Sequence, residues 1–452
     1  MIQLLLAVAL APAPPEPLRG YLEIARDSNL AFRREAIDVE VARERLNEAR
    51  SFLLPRLEAS ARYSVASGGR TIDIPVGDLV NPVYATLNDL LVAGGGDAAF
   101  GTVGNQSIEL LRPHEQETFV RIVQPLWRPE IARGIEAKRS ELASREAQLG
   151  AFARELDLEV RTAYFRWIAA EAAIGILDGA QALVDENARV QRSLFRNDKV
   201  TEDAPLRAEA EVAAVREQRI HAAKQADVAR SYVNFLMNRP LGTPLEPIEA
   251  EALTAYEREM EGWAAGGEPD GARREELAAL GHAVDAAESG RLAERARLFP
   301  TVAFAADAGI EGSGYGPGER TRFSQASLVA SWVLFDGAER RSRIRQAELE
   351  RRKLEVEREE TASRIDLQIR EARDEAAAAS AAVEAARSRV TAAARSFEIA
   401  DRRQHEGVLN FLGVLDARQE RTEAELRLVI RRTERLIAIA RLMRATATEE
   451  MP

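Results

Sequence analysis

Two kinds of hydrophobic periodicity alternate along this chain, and each occurs twice. After Pro55, apolar residues fall at every second position (Leu57, Ala59, Ala61, Tyr63, Val65), with Arg56, Glu58, Ser60, Arg62 and Ser64 between them. After Pro300 the same alternation sets Val302, Phe304, Ala306 and Ala308 against Thr301, Ala303, Ala305 and Asp307. A period of two predicts strands with one dry face and one wet face. A second strand follows in each half, ending in Leu126-Trp127 or Leu334-Phe335. Ala326, Leu328, Ala330, Trp332 and Leu334 share one side of the later strand. In the earlier one Val120, Ile122 and Leu126 point one way, but Phe119 and Val123 fall on the expected wet side. The predicted strands are about 56–66, 117–127, 300–310 and 322–335.

Behind each strand pair the period changes to that of a helix. Residues 130–196 and 338–404 are two proline-free stretches of 67 residues. At 1.5 Å per residue each would run about 100 Å, several times the usual globular helix. In the later stretch Ile365, Ile369, Ala372, Ala376, Ala379, Val383, Ala386, Val390, Ala393, Phe397 and Ala400 keep alternating steps of four and three. The same register lies 209 positions earlier, from Leu156 through Val160, Ala163, Trp167 and Ala170 to Gln191, with Gln181 and Gln191 as its polar exceptions. Such heptads predict coiled-coil packing, with alanines allowing close approach. Leu367, Ala378, Ala381, Ala385, Ala392 and Ile399 form a second seam beside the first. Two seams suit a closed ring of helices, and one suffices for a two-stranded rod. Breaks at Arg196–Val200 and His405–Val408 precede returning helices at 204–237 and 413–443.

The chain therefore divides into a possible signal peptide (1–15), a first repeat (16–245) and a second repeat (246–452). The leader, Leu4 to Ala11, is a short apolar run followed by Pro12, Pro14 and Pro15; it has no basic residue before Arg19, and a frayed terminus reads equally well. The fold class expected is mainly α with a small β part: duplicated hairpins and long coiled-coil helices. The hairpins differ in length. Pro55 lies 72 residues before Trp127, and Pro300 lies 35 before Phe335, so the first loop carries 37 additional residues and reads as a surface or lumen-plugging excursion. The second loop, Gly312 to Gly318, has the glycines of a phosphate cradle but leads into a strand rather than a helix, so a hairpin turn is expected.

Composition narrows the function. Of 452 residues, 30% are charged and 6% aromatic, and the net charge of −11 offers no basic field for nucleic acid. There is no cysteine, which removes thiolate metal sites and disulfides. His114, His221, His282 and His405 are too scattered for a metal motif, and no nucleophile–base pair or nucleotide loop is present; neither enzyme nor cofactor is expected. No window holds the roughly 18 consecutive apolar residues of a spanning helix. Strands of about ten residues match a transmembrane barrel, and equally a soluble half-buried sheet. Four strands cannot close a barrel alone; three chains would supply twelve.

Several segments carry a family resemblance. They are Phe52-Leu53-Leu54-Pro55 and Arg297-Leu298-Phe299-Pro300, the run Val333–Gly337, and Leu236–Gly242 closing the first repeat. The most specific is Gly407 followed nine residues later by Asp416 in Gly413-Val414-Leu415-Asp416-Ala417, with Val200-Thr201 through Ala208–Ala210 as its counterpart. In this order, and twice, they resemble the TolC family of outer-membrane efflux proteins across roughly Leu18 to Met443. The resemblance implies a homotrimer whose twelve-stranded barrel in the lipid bilayer of the outer membrane continues as an α-helical barrel through the periplasm. It implies docking on a periplasmic adaptor (membrane fusion protein) and an inner-membrane RND or ABC transporter. Carried over residue by residue, it makes Asp416 a candidate for a carboxylate ring at the periplasmic entrance, with Gly413 where an acid is common. An ordinary solvated aspartate is the alternative. It makes the turns at Asp198–Thr201 and Gly407–Asn410 candidate adaptor-docking tips, although they need only reverse the chain. Leu57, Val302, Phe304, Leu328 and Trp332 are expected on the lipid face. Copy one departs in having Arg128-Pro129 where copy two has Asp336-Gly337. A passive exit duct for efflux is the function expected. Type I protein secretion and, from another class, a soluble coiled-coil scaffold are the alternatives.

Overall fold

The structure is a computed structural model that describes residues 11–266, 273–314, 321–406, 408 and 411–448. Its elements are α1 (Leu18–Ser28), α2 (Leu30–Ser51), β1 (Arg56–Val65), β2 (Thr71–Ile74), α3 (Val76–Ala93), β3 (Gln106–Glu109), β4 (His114–Trp127), α4 (Pro129–Arg196) and α5 (Asp203–Leu236). There follow α6 (Ala250–Ala265), α7 (Glu275–Ala296), β5 (Thr301–Gly312), β6 (Arg322–Ser331), α8 (Glu339–His405) and α9 (Phe411–Thr446). They fall into two compact units, each drawn from both halves of the sequence. One comprises Met1–Leu46, Glu136–Arg291 and Arg345–Pro452; the other comprises Asn47–Ile135 and Leu292–Ile344.

The first unit is helical, and its core gathers one stripe from each of several helices. Leu18, Tyr21 and Leu22 of α1 meet Leu156, Val160 and Tyr164 of α4, Val233 of α5, Tyr256 and Met260 of α6, Ile365 of α8 and Ile439 of α9. The heptad positions of α4 and α8 are the buried ones: Val160 and Val383 are fully covered, as are most of their heptad neighbours. The second seam of α8 is not covered. Leu367 is 54% exposed and Ile399 43% exposed. Part of α4 is apolar enough on average to cross a membrane, but the helix is 68 residues long and buries Tyr164, Phe165 and Trp167 in this core.

Several buried polar groups inside the helical unit are paired, although Trp167 Nε1 and Arg435 Nε have no partner among the described residues. The Tyr164 hydroxyl donates to the Glu246 carbonyl at 2.7 Å, and burial raises its pKa. Arg435, 1% exposed, is held by Glu257 at 3.1 Å and Glu261 at 2.9 Å, joining α9 to α6. The Leu236–Gly242 segment is a turn built on Asn234, whose side-chain amide donates to the carbonyls of Leu241 and Thr243, with Asn238 at φ 50°.

The second unit holds a four-stranded antiparallel sheet in the order β1-β4-β5-β6 and a small β2-β3 pair. Pro55 and Pro300 stand just before β1 and β5, where a missing N–H costs no ladder bond. Strand ends correct two expectations. β4 starts at His114, and β6 stops at Ser331, so Trp332 lies past the strand and residues 332–335 are not part of it. At this junction Gly337 and Ala338 adopt φ 63° and 73°, which turns the chain out of the pleat. Arg340 bonds Asp336 and the carbonyls of Val333 and Arg297, occupying backbone acceptors that a longer strand would use. Copy one makes the same junction with Pro129 as the first residue of α4, a position suited to proline.

Phe119 and Gly309 sit opposite each other in the β4–β5 ladder. A Cβ on residue 309 would lie 2.2 Å from the Thr118 carbonyl and 2.5 Å from the Phe119 Cβ. The Gly309→Ala protein is therefore expected to lose most of its folded yield, whereas Gly314→Ala, with open space around it, should fold normally. Equal yields from the two would contradict this register.

Candidate functional site

The ladder pairs sort the strand side chains onto two faces. One carries Leu57 opposite Ile122, Ala59 opposite Val120, Phe304 opposite Leu328 and Val302 opposite Ala330. At the loop end of this face the side chains turn polar: the Tyr63 hydroxyl lies 3.2 Å from His114 Nδ1, and Arg322 stands opposite Ile310. The predicted apolar alternation is thus a band across all four strands, interrupted by Gln124 opposite Phe304 and by Ser324 opposite Ala308, and it is solvent-exposed in the single chain. Leu57 and Leu328 are each 68% exposed.

The other face is charged and internally paired. Arg121 grips Asp307 with two bonds, 2.7 and 3.0 Å, tying β4 to β5. Arg62 reaches Glu117 at 3.0 Å, tying β1 to β4. Phe119 does fall on this side, where the Arg121 guanidinium covers its ring at 5.1 Å. That contact explains how an aromatic residue sits among charges. The strand pairing of Arg121 with Asp307 was not anticipated, because residues 186 apart in sequence become partners only once the register is known.

Both outer strands have a free side. Among the described residues β1 pairs only with β4, and β6 only with β5, so the sheet ends in two unpaired edges. Unpaired ten-residue edges are ready to pair with another chain.

The candidates at the helix ends are partly described. Asp416 is solvent-exposed near the start of α9, Gly413 is half-buried, and Val414 beside them is buried. Asp198 occupies a left-handed conformation, φ 52°, in the turn from α4 to α5, with the Lys199 amide bonding the Leu194 carbonyl at 2.9 Å. The Thr201 hydroxyl bonds Asp203 at the start of α5. Gly407 and Asn410 lie outside the described residues. Asp198 and Thr201 thus come together in one turn, whereas Gly413 and Asp416 lie within the first turns of α9. Trp332 bonds the Leu298 carbonyl through its indole nitrogen at 3.0 Å. Residues of α4, α5 and α9, with Glu375 of α8, line a groove of about 990 Å³ that is rich in alanine and includes Arg166, Lys224 and Arg441.

Comparison with known proteins follows the same lines. Residues 271–448 match the family described as outer membrane efflux protein. No curated protein sequence matches the chain. Solved structures match over nearly its whole length. The Campylobacter jejuni CmeC outer membrane channel is 15% identical with a TM-score of 0.73, covering 96% of this chain and 86% of that one. The open state of the Neisseria gonorrhoeae MtrE outer membrane channel is 19% identical with a TM-score of 0.72, covering 95% and 88%. The outer membrane protein VceC of Vibrio cholerae is 14% identical with a TM-score of 0.71, covering 95% of each chain. At these identities the likeness is one of fold. The second half of the chain thus carries an outer membrane efflux protein domain, and the chain as a whole has the fold of these channels.

Proposed function

We propose that three copies of this chain close into one outer-membrane channel, a passive exit duct for what an inner-membrane pump delivers. The observation that carries this reading is the open sheet. A four-stranded sheet with bare edges on both sides and an apolar outer band is incomplete alone, and pairing β1 of one copy with β6 of the next satisfies the edges. Three copies bring twelve strands, enough to enclose water. The uncovered seam of α8 supports the same assembly, since a helix with two apolar stripes needs a neighbour on each side. Leu57, Val302, Phe304 and Leu328 then face lipid, and Arg62, Arg121, Glu117 and Asp307 face a wet lumen.

The helical part extends into the periplasm, where the turn at Asp198–Thr201 forms a tip that meets an adaptor. The partner pump is of the RND or the ABC class, and small-molecule efflux is the reading preferred to type I protein secretion. Affinity purification from cross-linked envelopes tests this. An RND antiporter with its adaptor is the expected companion, while an ABC exporter would move the chain to secretion. At the entrance, three copies of exposed Asp416 form a carboxylate ring that binds multivalent cations. Asp416→Asn is expected to weaken block of single-channel current by such cations. Undiminished block would remove Asp416 from the gate.

A further inference from the structure

At the helix end of the four-stranded sheet, both repeats make the same turn. Arg50 and Arg295 stand in the last turns of α2 and α7, each five residues before the strand-entry proline, Pro55 or Pro300. The Leu53 amide bonds the Arg50 carbonyl and the Leu298 amide bonds the Arg295 carbonyl, both at 3.1 Å. A side chain from the sheet end then holds each turn. Gln124 donates to the Leu53 carbonyl at 2.9 Å, and the Trp332 indole donates to the Leu298 carbonyl at 3.0 Å. These turns leave a collar of apolar side chains: Phe52, Leu54, Trp127, Phe299, Trp332 and Leu334 are all more than half exposed. Trp127 pairs with Val302, so the collar continues the apolar band of the sheet.

Charge at this collar is lopsided. Residues 47–56, 124–135, 292–300 and 331–344 hold nine arginines, no lysine and five acids. Four of the acids are already paired: Glu130 with Arg128, Glu294 with Arg297, Asp336 with Arg340 and Glu339 with Arg343. Arg50, Arg295 and Arg341 are exposed and have no carboxylate partner among the described residues. A helix C-terminus suits Arg50 and Arg295 without any ligand, but Arg341 lies in the first turn of α8, where the helix dipole disfavours a cation. The opposite end of the sheet lacks this chemistry, since residues 71–111 hold five acids and no Lys or Arg.

Resting on the outer-membrane reading above, we propose that Arg50, Arg295 and Arg341 hold anionic phospholipid headgroups on the helical side of the bilayer. Ten-residue strands tilted as in a barrel cross the hydrocarbon once, so residues just before β1 and β5 stand at headgroup depth. Aromatic rings gather at that depth, and arginine beside them makes charge-assisted bonds to phosphate. An acidic protein surface fits less well, because the collar continues the face assigned to lipid.

The two exposed tryptophans supply the test. The full-length protein is reconstituted in mixtures of phosphatidylglycerol and phosphatidylcholine, with bromine on the acyl chains of one lipid or the other, and tryptophan quenching is compared. Trp167 and Trp263 belong to the helical core and give a constant background. At equal mole fraction, brominated phosphatidylglycerol should quench as though about fivefold preferred, the weight of one arginine near an anionic surface. Arg50→Gln with Arg295→Gln and Arg341→Gln should bring the preference to one, while lysine at the same three positions should keep most of it. Equal quenching by the two lipids in the unaltered protein, a comparison that needs no variant to fold, overturns the proposal and leaves the arginines to an acidic protein surface. An undiminished preference in the glutamine variant overturns it as well. No quenching by either lipid would place the collar outside any bilayer, and the outer-membrane reading would fall with the proposal.

Discussion

Glu257→Ala is expected to destabilise the helical unit by about 3–5 kcal/mol, the usual consequence of stranding a buried charge. Arg435 is almost wholly enclosed; its guanidinium meets Glu257 and Glu261, and its Nε has no partner among the described residues. Glu257 is itself 5% exposed at the side chain and also holds Arg432 at 2.9 Å. Removing it leaves Arg435 with a single carboxylate that is 42% exposed. Glu261→Ala should cost less, about 1 kcal/mol, because water can reach the site it vacates. The guanidinium midpoint of the helical circular-dichroism signal measures both. The paired change Glu257→Leu with Arg435→Met should recover most of the loss, since replacing both buried charges with apolar side chains removes the desolvation cost. No recovery would mean that the pair positions α6 on α9 through geometry rather than charge.

Leu328→Arg should cost about 2–4 kcal/mol if this residue stands mid-membrane, and Ser327→Arg next to it should be tolerated. The ladder is the reason for the asymmetry. Leu328 lies opposite Phe304 in the apolar band, whereas Ser327 lies opposite Ala305 on the face that carries Arg121 and Asp307. Heat-resistant oligomer on a semi-native gel and folded yield in outer membranes report the difference. Equal damage from both substitutions would contradict the assignment of that face to lipid.

Much of this architecture is legible in the residues. Period-two alternation after two prolines placed β1 and β5 almost to the residue, because a strand with one dry face has no other way to be written. The long heptads placed α4 and α8, and their a/d positions are the buried ones. Shorter helices were not read at all. Val39, Ala42 and Leu46 of α2 are buried at helical spacing, a signal present but brief, and α6 and α7 contribute to a core shared among many elements. The end of β6 is not legible because alternation continues through Trp332 and Leu334, while Gly337 and Arg340 decide where the pleat stops. α3 escaped notice for a different reason. Its hydrophobic pattern reads as an ordinary core helix, and only the hydrogen bonds of Asn81 and Asn88 reveal which side is already occupied. Of the candidate site, the strand face could be read from sequence. The Arg121–Asp307 clasp could not, because it depends on a register between distant segments.

The central claim is that this chain completes itself only with other copies. Purified protein in mild detergent, measured for native mass and then inserted into planar bilayers, tests it most directly. A mass of three chains with stepwise ionic conductance is the predicted result. A strictly monomeric particle that leaves the bilayer insulating would contradict it.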